Sequence, residues 1–172
     1  MERFCDGDAR AFDALFARYA APIRGYLLRA TGDPATAEDL LQGTFLSLVR
    51  ARGRFLRGHF FRPWLYAIAT NAVRDHLRRR RPEVLTELGE LPTDAAEPTP
   101  PSDAGLKRAV RDALAQLPAN QREVILLHRF EGLSMAEVAE AVGASEAAVK
   151  VRAHRGYERL RQLLQGVWEE QA

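Results

Sequence analysis

The stretch "SMAEVAEAVGASEAAVKVRAHRGYERL", Ser134–Leu160, decides the fold. Ser134 stands three residues before Glu137, the spacing of a capping box, in which each side chain satisfies the other's backbone N–H at a helix start. Gly143 ends that short helix, because glycine enters the left-handed conformation without steric cost. Ser145 caps a second, longer helix. A short helix, a glycine turn and a longer helix make a helix-turn-helix. Ala139 is small where the two helices would meet, and Val149 packs the second back on the first. At about 100° per residue, the second helix carries Val149, Ala153, Tyr157, Leu160 and Leu164 on one inward face. Val151 and Arg155 lie nearly opposite, flanked by Ala147, Ala148, Lys150, Arg152 and His154.

Upstream, the pattern is helical to the N-terminus. Phe12, Leu15, Phe16, Tyr19, Ile23 and Leu27 recur at three- and four-residue steps, with Pro22 as a candidate kink. "TGDP" (31–34) is a turn. A second helix turns Ala37, Leu40, Leu41, Phe45, Leu48 and Val49 inward. "RGRFLRGHFFRP" (52–63) breaks the period with two glycines and reads as a loop. A third helix carries Trp64, Leu65, Ile68, Ala69, Ala72, Val73 and Leu77. Beyond Leu106, Pro118 is placed to open a helix whose core face is Val124, Ile125, Leu127 and Phe130, with Gly132 as its C-cap. No segment alternates as a strand does. The fold class is therefore all-α, with two small helical domains.

Charge divides the chain at the same places. Residues 1–81 hold 15 arginines against 8 acids, 82–105 hold 6 acids and no base, and 106–172 hold 10 bases against 9 acids, which together give the net charge of +2. The middle segment also has five prolines and no helical stripe, the composition of a flexible acidic linker. The predicted domains are 1–81 and 106–172, joined by 82–105. A basic head before an acidic middle points to a nucleic-acid partner.

The outward face of the Ser145-capped helix fits that partner. Small Ala147 and Ala148 allow close approach to a major groove. Val151 can touch a thymine methyl, Arg155 can read guanine, and Lys150, Arg152 and His154 add positive charge. The alternative is a basic surface helix with scattered apolar residues. In the first domain Asn71, Arg74 and Arg78 form one stripe at i, i+3 and i+7, at the head of the run Arg78–Arg81. Arginines there suit phosphates, which position without specifying; the alternative is a solvated charged face.

Three stretches together resemble the extracytoplasmic-function (ECF) sigma factors of the sigma-70 family over about residues 9–165. "DPATAEDLLQGTFLSLVR" resembles the region-2 helix that docks on RNA polymerase, and "FRPWLYAIATNAVRDHLRRR" the helix that reads and opens the −10 element. "ALAQLPANQREVILLHRFEGLSMAEVAEAVGASEAAVKVRAHRGYERLR" resembles region 4, which reads the −35 element. The resemblance implies a transcription initiation factor that binds core polymerase at the β′ clamp and β flap. It also implies contact with promoter DNA, as duplex and as non-template single strand, and control by an anti-sigma factor. For docking it implies Asp39, Leu40 and Gln42, with neighbouring Glu38 adding charge. Gly43 departs from the pattern, because the position after Gln42 is usually acidic. For the −10 element it implies Phe60 and Phe61 at the tip of the loop, where an exposed ring can stack on an extruded base; the alternative is that both phenylalanines cap the core. Asn71 matches the polar contact to the unpaired strand, and Arg74, Arg78 and Arg79 lie where that strand passes. The linker then has two readings: a soluble tether, or an acidic strand that occupies a basic RNA path.

Other classes are disfavoured. A repressor or activator built on the same helix-turn-helix would usually bring a dimerisation, ligand or receiver domain, and residues 1–81 show none of these patterns. An enzyme would need a phosphate loop, a metal cluster or a nucleophile with its base, and none stands out. Cys5 is the single cysteine, so no internal disulfide forms, and the four histidines lack metal-ligand spacing. No cofactor, metal or small-molecule substrate is expected. No apolar run spans a bilayer and the N-terminus lacks an apolar signal core, so a cytoplasmic location without membrane insertion is expected.

Overall fold

The computed structural model describes residues 1–84 and 103–169, with side chains over 1–79 and 105–165. Among the described residues all regular structure is helical: α1 (Glu2–Cys5), α2 (Ala9–Thr31), α3 (Pro34–Ala51), α4 (Phe61–Val84), α5 (Asp103–Ala115), α6 (Ala119–Ile125), α7 (Met135–Val142) and α8 (Glu146–Glu169). Most of the expected linker, residues 85–102, lies outside the described residues, and so do the side chains of Arg80 and Arg81. Its first residues extend α4 through Pro82 to Val84.

The first half is a three-helix unit with a short N-terminal turn that the sequence pattern did not announce. Asp8 Oδ1 accepts the Arg10 N–H at 3.0 Å to open α2. Gly32, at φ +75°, closes it. Asp33 Oδ2 accepts the Thr36 N–H at 2.8 Å, with Pro34 in the first turn of α3. Pro22 lies inside α2, which continues past it. Ile23, Tyr26 and Leu27 meet Ala37, Leu41, Phe45 and Leu48 of α3 and Leu65, Tyr66, Ala69 and Val73 of α4 in the core. Each fully buried Leu or Ile here contributes about 2 kcal/mol. The buried Tyr26 hydroxyl shares a 2.9 Å hydrogen bond with Thr70, and burial pushes its ionisation well above the usual phenol range.

The second half departs from a simple helical phase at one place. After α6 the chain makes a π turn over Leu126–Phe130, in which the Glu131 N–H donates to the Leu126 carbonyl at 3.1 Å. A π turn inserts one residue into the ladder and rotates the residues beyond it about the helix axis. Leu126 joins Val124, Ile125 and Leu127 in the core, while Phe130, expected inside, is 43% exposed. Gly132 and Gly143 both take positive φ, as their cap positions require. The capping box is formed: Ser134 Oγ accepts from the Glu137 N–H at 3.2 Å and Glu137 Oε2 from the Ser134 N–H at 2.8 Å. Ser145 Oγ accepts the Ala148 N–H at 3.2 Å.

On α8, Val149 and Ala153 are buried as expected, but Tyr157 is 38% exposed. The inward stripe runs Val149, Ala153, Gly156, Leu160, and Leu160 and Leu164 are half-buried. Gly156 lets α8 lie against α6, since a Cβ there would stand 2.6 Å from Ile125 Cδ1. The halves meet where α7 packs on α4 and the π turn on α2.

Candidate nucleic-acid interface

The helix-turn-helix presents the expected face of α8 to solvent. Ala147, Lys150, Val151, His154 and Arg155 are exposed together, and Val151 at 50% exposure is a large apolar side chain with nothing covering it. Lys150 pairs with Glu146 at 2.7 Å and His154 lies 3.5 Å from Glu158, one turn away in each case. Exposed pairs of this kind are weak and are readily exchanged for a phosphate. Among the described residues Arg155 has no carboxylate partner within ion-pair distance. Ala148 and Arg152 lie at the edge of this face, half-buried, and Arg152 turns towards Glu123 at 3.9 Å.

The loop before α4 separates the two phenylalanines expected at its tip. The chain makes a 3₁₀ turn at Arg52–Arg54, and Phe55 is buried against Trp64 at 5.2 Å between ring centroids. Phe60 is 75% exposed. Phe61 is the first residue of α4 and packs on Tyr19 at 5.2 Å, half-buried. Phe60 is therefore the exposed ring of the two, and Phe61 packs against the core. Leu56, 65% exposed, stands on the same loop.

Asn71, Arg78 and Arg79 are exposed along α4, and Arg78 pairs with Asp75 of the preceding turn at 2.8 Å. Arg74 is engaged elsewhere. It donates twice to Glu123 of α6, at 3.0 and 2.8 Å, and once to the Val142 carbonyl at 3.2 Å. The bond from Glu123 raises the Arg74 pKa further above its ordinary value. A second contact runs parallel: Glu131, 7% exposed, accepts from the Tyr66 hydroxyl at 2.6 Å and pairs with Arg29. Burial first, and then Glu131, holds the Tyr66 phenol protonated far above its ordinary range. A buried carboxylate needs such partners to offset its desolvation. Two acids of the second half thus occupy two arginines of the first.

The expected docking residues lie on α3. Glu38, Asp39, Gln42 and Gly43 are exposed and Leu40 is half-buried; Glu38 pairs with Arg24 of α2 at 3.1 Å. Sequence reading missed Leu46, which is 50% exposed. It follows Asp39, Gln42 and Gly43 at i+7, i+4 and i+3, one stripe on the helix. The signal was present, because Leu46 falls out of phase with the inward positions Leu41, Phe45 and Leu48. A groove of about 600 Å³ between α3 and α4 brings Asp39, Leu40 and Gly43 together with Asn71 and Arg79. Among the described residues no three His, Cys, Asp or Glu side chains gather to hold a metal ion, and no helix is long and apolar enough to cross a membrane.

Comparisons with known proteins agree with these two halves. Residues 15–83 match Sigma-70 region 2, and residues 107–160 match Sigma-70, region 4. The RNA polymerase sigma factor CarQ of Myxococcus xanthus is 47% identical over 165 residues, which is 95% of this chain and 95% of that protein. The ECF RNA polymerase sigma factor SigF of Caulobacter vibrioides is 34% identical over 161 residues, 93% of this chain and 89% of that protein. Among solved structures, the sigma factor RpoE in its complex with the anti-sigma factor NepR from Bartonella quintana superposes with a TM-score of 0.76 at 26% identity, over 91% of this chain and 98% of that one. With one sigma region on each half and these relatives along its whole length, the chain belongs to the extracytoplasmic-function RNA polymerase sigma factors of the sigma-70 family, transcription initiation factors that direct RNA polymerase to promoters.

Proposed function

We propose that the division of labour follows three exposed surfaces. The outward face of α8 (Ala147, Ala148, Lys150, Val151, Arg152, His154, Arg155) reads the −35 element in the major groove. Phe60 stacks on an extruded base of the −10 element, Asn71 contacts the unpaired non-template strand, and Arg74, Arg78 and Arg79 hold its phosphates. Phe61 supports Phe60 from the core. Glu38, Asp39, Leu40 and Gln42, with Leu46, dock on the β′ clamp of core polymerase, and the second half meets the β flap. The chain works in the cytoplasm, without catalysis of its own, and is held inactive by an anti-sigma factor.

The observation that carries this reading is the exposed, uncovered Val151 beside Arg155 on a helix whose inward face is packed. A merely soluble helix gains nothing from that apolar group, whereas a thymine methyl gives it a partner. The test is run-off transcription with core polymerase on a promoter library, read by sequencing. A defined −35/−10 pair among the transcribed members is expected. Tight binding of the free protein to a palindromic duplex, with no promoter-dependent transcript, would overturn it in favour of a repressor.

A further inference from the structure

The loop that bears Phe60 has little internal support. Its described backbone bonds are a 3.3 Å contact from the Phe55 N–H to the Arg52 carbonyl and a 3.2 Å contact from the His59 N–H to the Leu56 carbonyl, and Gly58 sits at φ +81°. Yet it exposes two large apolar side chains, Leu56 and Phe60, which solvent does not hold in place. The support comes from the N-terminal turn, far earlier in the chain. Glu2 Oε1 accepts the Gly58 N–H at 3.1 Å. Asp6 pairs with Arg57. The Cys5 thiol donates to the Arg52 carbonyl at 3.2 Å. Phe4, 5% exposed, lies under the Arg52 guanidinium at 5.7 Å and against the Phe12 ring at 5.4 Å. These contacts fall at the two ends of Arg52–Gly58, so α1 and the residue after it hold the loop from one side. Met1, Glu2 and Arg3 also wall a cavity of about 530 Å³ with Phe55, His59 and Phe61.

Carboxylates are an odd choice beside a segment that meets nucleic acid, because each repels phosphate. Their placement resolves this. Glu2 spends its oxygen on a backbone N–H, which fixes the one residue of the loop with left-handed geometry. Asp6 meets Arg57 in an exposed pair, which is weak by itself but biases the side of the loop on which the guanidinium rests. We infer that Glu2 and Asp6 are positioning residues for promoter opening: the N-terminal turn pre-sets loop 55–60 so that Phe60 stands ready for the extruded base. This rests on the assignment of that loop to the −10 element. Pre-ordering a contact loop removes ordering entropy from the binding step, so both affinity and base discrimination depend on it.

The test compares Glu2→Ala/Asp6→Ala, Glu2→Gln, Asp6→Glu and Phe60→Ala in holoenzyme. Open-complex formation is followed by 2-aminopurine fluorescence at the non-template −10 positions, base preference by a −10 library, and core affinity by competition with a reference sigma factor. The double alanine variant is expected to lose about tenfold in open complex, the equivalent of about 1.4 kcal/mol. Its −10 preference should flatten, with core affinity unchanged. Glu2→Gln keeps an acceptor oxygen for Gly58 and Asp6→Glu keeps the charge, so each is expected to open as the unaltered protein does. Equal opening and equal preference in the double variant would overturn the inference, as would a parallel loss of core affinity, which marks a general fold defect. Uniformly stronger binding to all sequences with a steeper salt slope would also overturn it, because Asp6 then only masks Arg57 from phosphate. If Phe60→Ala itself leaves opening intact, the assignment of the loop fails; if Phe60→Ala fails to open while the double variant opens normally, only the role of Glu2 and Asp6 falls.

Discussion

Gly43 and Gly156 are both glycines inside helices, yet their surroundings give them opposite roles. A Cβ at Gly43 meets nothing within 4 Å, whereas one at Gly156 meets Ile125 Cδ1 at 2.6 Å and Gln121 Cβ at 3.4 Å. Gly43→Ala should therefore raise stability by up to about 1 kcal/mol, the helix-propensity difference, read as a shift in thermal midpoint. Gly43→Glu should give a similar helix gain and also strengthen binding to core polymerase by adding an acid to the Asp39–Gln42 stripe. Competition binding separates the two effects. Equal core affinity for the alanine and glutamate variants would show that charge at this position is idle, and weaker binding by both would show that polymerase needs the bare backbone. Gly156→Val puts an isopropyl group into the α6–α8 contact, and the cost expected for overpacking is about 1–3 kcal/mol. An unchanged melting temperature would mean that α8 does not lie where Ile125 places it. Both glycines are plain in the sequence. Only the packing of α8 on α6 tells which one is structural, and that contact joins residues far apart in the chain.

At the scale of the element, legibility followed from whether the signal was local. The capping box at Ser134, the turn at Gly143 and the cap at Ser145 each depend on neighbours within three residues, and each is formed as the spacing indicated. The π turn is different. It shifts the ladder register for the residues beyond Leu126, and a 3.6-residue period carried across it puts Phe130 on the wrong side. Phe61 leaves the expected loop for another reason: α4 begins ahead of Pro63 rather than after it, and draws the ring onto Tyr19. Proline is tolerated there because the first turn of a helix has no intrahelical use for its missing N–H. The exposed positions Ala147, Lys150, Val151, His154 and Arg155 of α8 were legible in full, since they depend on helical geometry alone. Two substitutions there should differ in kind. Arg155→Ala should weaken promoter use by about 1–3 kcal/mol if the side chain makes a bidentate base contact. Val151→Ser should move the preferred −35 sequence more than the affinity, seen by selection from a randomised promoter pool. An unaltered preference would remove Val151 from base readout and leave it as a surface residue.

At the scale of the whole molecule, the charge partition in the sequence foretold two units but not how they touch. Acidic linker and basic head suggested that arginines of the first half wait for nucleic acid. In the structure Arg74 is already satisfied by Glu123, and Arg29 by Glu131. No local pattern marks these pairs, because Arg74 and Glu123 are 49 residues apart and Arg29 and Glu131 are 102 apart. The consequence is competitive: Arg74 gives its Nε–Nη2 edge to Glu123 and the Val142 carbonyl, so a phosphate reaches only the Nη1 side while these bonds hold. A forked phosphate contact by that same edge would require the halves to part. Glu123→Gln should lower the cost of parting, because an amide binds a guanidinium less strongly than a carboxylate does, and it leaves no acid to mimic phosphate. The free variant should show a larger radius of gyration in small-angle scattering and tighter binding to a single-stranded −10 oligonucleotide. Arg74→Ala should also open the free protein, yet lose affinity for that oligonucleotide and lower transcription in holoenzyme, since it removes the phosphate contact as well as the latch. The pair thus moves together in shape and apart in DNA binding. If Glu123→Gln expands the protein without any gain in oligonucleotide affinity, Arg74 is not a phosphate ligand, and its place is in holding the two halves together alone.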